Sequence, residues 1–119
     1  MLPKSQRLRK TKEIELLFKK GKSVYLGALG LKAYPNQLNY PRFTILVNKK
    51  VSKKAVDRNR LKRQLRAFLE TQLSKTLGFD LIVICQPAAL NLESAELIKQ
   101  LKVTLERLKL LWSKLSTLF

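Results

Sequence analysis

The chain has 119 residues, 45% of them apolar, and its 25 Lys and Arg against 8 Asp and Glu leave a net charge of +17. This length and apolar content predict a single domain over residues 1–119, large enough to bury a core without disulfides or a structural metal. The chain contains no histidine, which excludes histidine-based catalysis and metal sites with histidine ligands. No apolar run reaches the roughly 18 residues of a membrane span.

The first part of the chain predicts one helix and two strands. A short helix fits Lys12 to Lys20, with a face made of Ile14, Leu17 and Phe18. The segment from Ser23 to Tyr34 predicts one weak strand, interrupted by two glycines. After a turn region rich in Pro and Asn, the apolar run from Phe43 to Val47 predicts a second strand.

A long basic helix is predicted next, from about Ala55 to Ser74. Its apolar residues recur at helical spacing and form one buried stripe: Leu61, Leu65, Phe68 and Leu69. The run from Phe79 to Cys85 is nearly continuous in apolar residues, which is typical of an interior strand. Strand, helix and strand together predict a βαβ unit. We expect Cys85, the single cysteine, to be a small buried hydrophobic residue.

The last helix is predicted to begin near Ser94 and to run toward the end of the chain. Its apolar residues alternate in steps of 3 and 4: Ile98, Leu101, Leu105, Leu108, Trp112, Leu115 and Phe119. This spacing is that of a coiled-coil seam. Two interpretations stay open, namely that the seam packs on the sheet and that its end, from Trp112 to Phe119, meets a partner chain.

Residues 57–66, DRNRLKRQLR, place five cations and one acid in three helical turns. Like charges at this spacing repel each other, so we expect an anionic partner to offset the repulsion. At about 100° per residue, Asn59, Arg63 and Arg66 lie away from the leucine stripe, while Arg58 and Lys62 flank it. The lysines just ahead of the helix extend the same field: Lys49, Lys50, Lys53 and Lys54.

The positive charge is confined to one half of the chain. Residues 1–66 hold 19 cations and 3 acids, whereas residues 67–119 hold 6 cations and 5 acids. This asymmetry indicates a polyanion-binding surface, with nucleic acid as the first candidate and an anionic membrane as the second. The spacing of the cations does not separate DNA from RNA, although the strands on either side of the basic helix argue against a helix-turn-helix. The first twelve residues have no apolar signal-peptide segment, so we expect a soluble, cytoplasmic protein.

The order of these parts resembles the protein subunit of bacterial ribonuclease P. The signature of that family is a KK pair after a strand, followed by a helix with the pattern RNR-x-K-R-x-x-R. This chain matches it at Lys49, Lys50, Arg58, Asn59, Arg60, Lys62, Arg63 and Arg66. The segments RLRKTKEIELLFKKGKSV, GFDLIVICQPAA and SAELIKQLKVTLERL resemble the family's first helix, third strand and last helix. The resemblance therefore covers nearly the whole chain.

The resemblance implies an α/β (α+β) sandwich of the ribosomal-protein-S5-like type. Its small mixed sheet would have the order α-β-β-α-β-α, with the signature helix in a left-handed βαβ crossover. It also implies a ribonucleoprotein whose RNA subunit carries out the magnesium-dependent hydrolysis that removes the 5′ leader of precursor tRNA. The protein would then contribute no catalytic residue and no metal ligand, Mg²⁺ being bound mainly by the RNA. Neither DNA nor a membrane is expected as a partner.

The resemblance also assigns residues to two binding roles. The RNA subunit would be bound by Lys49, Lys50, Lys53, Lys54, Arg58, Asn59, Arg60, Lys62, Arg63 and Arg66. The leader would lie in a central cleft, floored by the sheet and edged by the first helix, and would contact Ile14, Phe18, Lys32 and Tyr34.

The cleft departs from the family's pattern at three positions. Ile14 stands where relatives usually have a second Phe, Lys32 where an aromatic residue is frequent, and Thr44 where Gly is common. Leader recognition is therefore expected to depend more on charge and less on stacking. For Phe18 the alternatives are base stacking and core packing, and for Tyr34 and Phe43 packing in the core or a turn is the main alternative.

Two other functional classes compete with this interpretation. A structural RNA-binding protein, such as a ribosomal protein, would explain the same basic surface. A membrane-surface protein would use the amphipathic last helix, but that helix lies in the nearly neutral half of the chain.

Overall fold

The computed structural model describes residues 11–36, 40–73 and 79–116, with side chains in the last helix as far as Leu108. The elements of this part are α1 (Thr11–Lys20), β1 (Lys22–Leu26), β2 (Leu29–Pro35), β3 (Arg42–Leu46), α2 (Ala55–Leu73), β4 (Phe79–Cys85), a 3-10 turn (Pro87–Asn91) and α3 (Ser94–Ser116). Within it, no helix combines the length and the apolar character that crossing a bilayer requires.

The four strands form one mixed sheet with the order β1-β2-β4-β3. The pairs β1–β2 and β2–β4 are antiparallel, whereas β3 and β4 are parallel and are connected through α2. Parallel neighbours need a long crossover connection, and α2 provides it. The predicted α+β class and the predicted βαβ unit are both confirmed.

The prediction of one strand from Ser23 to Tyr34 is wrong, because this segment is a hairpin of β1 and β2. Gly27 has a φ of +59°, a left-handed conformation that carries no steric penalty for a residue without a Cβ, and it reverses the chain at this point. The next amide, that of Ala28, donates to the Gln100 side chain on α3 at 2.9 Å. The element order is therefore α-β-β-β-α-β-α, with one strand more than the predicted order.

The main core lies between the sheet and the two long helices. On α2 the predicted leucine stripe is confirmed, since Leu61, Leu65 and Leu69 are buried and Phe68 is partly buried against them. The strands supply alternate residues to the same core, as the pleat of a sheet requires. These strand residues are Leu29, Leu31, Ala33, Phe43, Ile45, Leu81, Val83 and Cys85.

The described part of α3 packs on the sheet, which confirms one of the two interpretations for that helix. Its buried residues are Leu97, Leu101, Thr104, Leu105 and Leu108. Ile98 is only half-buried, so the seam prediction is wrong at its first position. A helix that lies flat on a sheet buries a wider stripe than a coiled-coil seam. The side chains from Trp112 to Phe119 lie outside the described residues.

Helix α1 covers part of the opposite face of the sheet. Leu17 of α1 and Ile82 of β4 are fully buried there. Partly buried apolar residues surround this pair: Ile14, Tyr34, Leu46 and Ile84. The sheet thus separates a large inner core from a small outer cluster.

A largely buried ion pair joins the beginnings of β3 and β4. Arg42 donates from Nε to Asp80 Oδ1 at 2.8 Å and from Nη2 to Asp80 Oδ2 at 2.7 Å. Asn36 Nδ2 donates to the same Oδ1 at 3.0 Å. Two parallel bonds of this kind are strong and directional. The pair therefore supports the register in which Arg42 lies opposite Asp80, and it holds the side chain of Asn36 beside the two strands.

Candidate RNA interface

The exposed face of α2 presents the cations of the basic helix. Asn59, Arg60, Arg63 and Arg66 are exposed, while Arg58 and Lys62 are half-buried at the flanks of the leucine stripe. This is the arrangement that helical periodicity predicts. The helix rises about 1.5 Å per residue, so the cations from Arg58 to Arg66 extend over about 12 Å and reach several phosphates of a nucleic acid.

The segment before α2, which we call the lysine loop (residues 48–54), extends this cationic face. Its four lysines are all exposed: Lys49, Lys50, Lys53 and Lys54. Between them, Val51 is buried in the main core, with 5% of its surface exposed. The Asn48 carbonyl accepts a hydrogen bond from the Val51 amide at 3.1 Å, and Asn48 Oδ1 accepts one from the Lys50 amide at 2.9 Å. The lysine loop is therefore an ordered turn.

The electrostatic field of this surface is almost uniformly positive. Ten of its residues were predicted to bind the RNA subunit, eight of them in the family signature, and nine of the ten are Lys or Arg. The amino terminus of α2 adds the positive end of the helix dipole. Asp57 is the one acid in the first turn of α2. Fields of this kind attract phosphate backbones with little regard to base sequence.

A recess of about 420 Å³ opens on the outer side of the sheet, next to the cationic face. It lies between the carboxyl-terminal part of α1, the end of β3 and the first half of α2. Its lining consists of Phe18, Ile45, Leu46, Val47, Asn48, Lys62 and Ile84. The walls are mostly apolar, with an aromatic ring on one side and a single ammonium group on another. This composition suits a planar, partly apolar group that is attached to an anion.

The structure brings together two of the four predicted leader residues, Phe18 and Lys32. The Phe18 side chain is 44% exposed, so core packing is excluded for it. The Lys32 ammonium lies 4.9 Å from the centre of the Phe18 ring, a cation–π contact. Ile14 and Tyr34, the other two predicted leader residues, are partly buried; they pack against the Leu17–Ile82 cluster and hold α1 on the sheet.

The remaining two cleft positions are also located. Phe43 is 5% exposed and belongs to the main core, so core packing is confirmed for it. Thr44 is half-buried and, by strand alternation, shares the outer face with Lys32.

An exposed tyrosine, Tyr25, extends the outer face and was missed from the sequence. It is 52% exposed and pairs across the hairpin with Gly30. A Cβ at Gly30 would lie 2.3 Å from the Tyr25 ring, so only glycine leaves room for the ring. Tyr25, Gly30, Ile84 and Leu46 form one cross-strand row. The glycine inside a strand pattern was the available signal for this close approach.

The thiol of Cys85 is buried and unreactive in character. Burial raises the pKa of Cys85 to about 12, and the positive charge of Lys62 acts weakly in the opposite direction. The prediction of a buried, hydrophobic cysteine is confirmed. Across residues 11–36, 40–73 and 79–116, no three Cys, Asp or Glu side chains are grouped as a metal site would require.

The sequence matches the family model described as Ribonuclease P over residues 2–109. The ribonuclease P protein component of Cyanothece sp. is 34% identical over an alignment of 128 positions, which covers 93% of this chain and 98% of the relative. The ribonuclease P protein component of Pseudanabaena sp. is 38% identical over 113 residues, which cover 93% of this chain and 97% of the relative.

Solved structures agree with the sequence matches. A mutant RNase P protein of Staphylococcus aureus, defective in mRNA degradation activity, superposes with a TM-score of 0.84 and 30% identity. The superposition covers 89% of this chain and 90% of that one. The RNase P protein of Thermotoga maritima, in complex with 1-(4-fluorophenyl)-2-thiourea, gives a TM-score of 0.78 at 30% identity and covers 85% of this chain and 98% of that one.

Proposed function

Because this chain belongs to the ribonuclease P protein family, we propose that it binds the catalytic RNA of ribonuclease P and the 5′ leader of precursor tRNA. Membership of the family implies a part in tRNA 5′ processing as one component of the ribonuclease P holoenzyme. The proposed contribution is to assist the magnesium-dependent endonucleolytic removal of the leader while the RNA partner carries out the chemistry.

The observation that carries the proposal is the continuous cationic surface of α2 and the lysine loop. We assign to RNA-subunit binding Lys49, Lys50, Lys53, Lys54, Arg58, Asn59, Arg60, Lys62, Arg63 and Arg66. Arginine supports this role because its planar fork forms two hydrogen bonds with one phosphate. Binding of this kind releases counterions and is therefore strongly salt-dependent.

The leader is proposed to cross the outer face beside α1. Phe18 offers an exposed ring for a base, a contact worth about 1–3 kcal/mol by alanine substitution. Lys32 covers one face of that ring and is proposed to contact a leader phosphate, and Tyr25 offers a second exposed ring. Lys62 lies at the border, since it belongs to the signature of α2 and also lines the recess with Phe18. This arrangement supports recognition that combines charge with stacking.

Magnesium is proposed to be held mainly by the RNA partner. The carboxylate of Asp57, the acid of the signature segment, already accepts a hydrogen bond from Ser52 at 2.9 Å. The rest of that surface consists of cations, which repel a divalent metal ion. The protein's contribution would be to neutralise phosphate repulsion, so that the RNA needs less magnesium to fold and to bind its substrate.

Reconstitution with the RNA subunit of the same organism tests the proposal. Purified protein alone should leave precursor tRNA uncut, and its addition to the RNA should lower the magnesium concentration at half-maximal leader removal. The gain should be larger for precursor tRNA than for a substrate whose leader is shortened to one nucleotide. Cleavage by RNA-free protein, or an unchanged magnesium requirement, would contradict the proposal.

A further inference from the structure

One uncharged side chain, that of Ser52, connects the lysine loop to α2. Its hydroxyl donates to Asp57 Oδ2 at 2.9 Å and accepts a hydrogen bond from the Lys54 amide at 3.1 Å. Its carbonyl oxygen accepts a hydrogen bond from Arg58 Nη1 at 2.8 Å. We call these three contacts the Ser52 clasp. They link the turn that contains the lysines to two successive side chains of the basic helix.

The clasp opposes the electrostatic repulsion within the lysine loop. Four ammonium groups within six residues repel each other, and Val51 is the residue of this segment that the core buries. Lysine side chains also lose much rotamer freedom when they are fixed on a partner. A loop that is already folded loses less entropy on binding, which is the general advantage of preorganisation.

The clasp also explains the acid in the signature segment. On charge alone, Asp57 weakens a surface that attracts phosphates. Its carboxylate instead accepts the hydroxyl proton of Ser52 and thereby holds the turn in which Lys53 and Lys54 lie. Arg58 is half-buried and donates one hydrogen bond to the Ser52 carbonyl, so part of its guanidinium is directed at the loop.

We propose that Ser52 is a positioning residue of the RNA-binding surface, acting through Asp57 and Arg58 to hold the loop lysines in place for phosphate contacts. The inference rests on the proposed RNA-subunit binding. It differs from that proposal because it assigns a role in affinity to a residue that bears no charge.

Four variants separate positioning from charge. Ser52→Ala removes both side-chain contacts without changing the net charge, and Ser52→Thr retains the hydroxyl. Asp57→Ala removes the acceptor together with the negative charge, whereas Asp57→Asn removes the charge but retains an acceptor oxygen. Each variant is measured for affinity to the RNA subunit of the same organism as a function of salt concentration, and its melting temperature is recorded.

The positioning role predicts a pattern that charge alone does not. Ser52→Ala should lose roughly tenfold in affinity at moderate salt, which corresponds to about 1.4 kcal/mol. Its log–log salt slope should fall by about one unit, because a released lysine no longer holds its phosphate. Asp57→Ala should bind more weakly than Asp57→Asn, although the two variants have the same net charge. Ser52→Thr should bind like the unmodified protein.

Two results would overturn the inference. One is a Ser52→Ala variant that is folded and has the affinity and salt slope of the unmodified protein. The other is equal or tighter binding by Asp57→Ala compared with Asp57→Asn. Arg63→Ala, whose side chain lies outside the clasp, keeps the two proposals distinguishable. If Arg63→Ala weakens binding and Ser52→Ala does not, only the clasp is refuted; if the unmodified protein does not bind the RNA, the proposed function fails.

Discussion

Replacement of Phe18 by alanine tests the leader site most directly. The ring is 44% exposed, so its removal takes little from the core and should lower the free energy of unfolding by less than about 1 kcal/mol. In the complex the same ring is proposed to stack on a leader base, which is worth about 1–3 kcal/mol. Lys32 already occupies one ring face, which leaves one face for a base and favours the lower half of that range.

The expected result is a loss of about 5- to 30-fold in the affinity of the holoenzyme for precursor tRNA. Affinity for mature tRNA, which has no leader, should not change. The assay is equilibrium binding of both tRNAs to the holoenzyme, with the RNA subunit saturated by protein.

Leu16→Ala is the matched control for this experiment. Leu16 lies on the same helix and is 41% exposed, but at about 100° per residue it points roughly opposite to Phe18. It should therefore leave both affinities unchanged. Equal losses for precursor and mature tRNA in Phe18→Ala, or an equal effect of Leu16→Ala, would refute a leader contact at Phe18.

Three further predictions concern charge, the buried ion pair and pH. Arg63→Ala should reduce the log–log salt slope of RNA-subunit binding by about one unit without a change in melting temperature, because Arg63 is exposed on the face opposite the core. A lower melting temperature would show that Arg63 supports the fold. Arg42→Ala should lower the free energy of unfolding, measured with urea, by about 3–5 kcal/mol, because Asp80 is left buried without its guanidinium partner. A loss of stability below about 1 kcal/mol would contradict this prediction. Since burial raises the pKa of Cys85 from 9.0 to about 12, the folded state keeps the thiol proton that the unfolded state loses in this range. The free energy of unfolding should therefore fall between pH 9 and pH 12 by up to about 4 kcal/mol more than in Cys85→Ala, and parallel pH curves for the two proteins would refute the shift.

The parts of the fold that repeat locally were predictable from the sequence. Helix α2 and strand β4 were placed within one residue of their bounds, because one has a leucine stripe and the other a continuous apolar run. The exposed and flanking cations of α2 follow from the same periodicity once the buried stripe is known. A helix fixes the direction of every side chain on it, so identifying one face locates the other.

The parts that depend on one backbone angle or on distant partners were not predictable. The β1–β2 hairpin depends on the positive φ of Gly27, and two glycines in one weak strand did not indicate which of them reverses the chain. Arg42 and Asp80 are 38 residues apart in sequence and meet only because β3 and β4 are parallel neighbours. The contact of Lys32 with Phe18 likewise requires α1 to lie on the outer face. Ser52 bears no charge, and nothing in its spacing distinguished it from a loop residue.

The concentration of positive charge raises the free energy of the unbound protein, and this favours the binding of an anionic partner. The exposed cations of α2 repel each other, and the helix persists because Leu61, Leu65 and Leu69 are fully buried beneath them. Burial of a leucine contributes about 1.5–3 kcal/mol, which exceeds the repulsion between neighbouring exposed charges in water. The repulsion is therefore retained in the folded protein and is relieved only when phosphates approach. If the proposed function is correct, the apolar stripe keeps the cations close together in the free protein. The repulsion between them is removed when RNA phosphates bind, and this contributes to the free energy of binding.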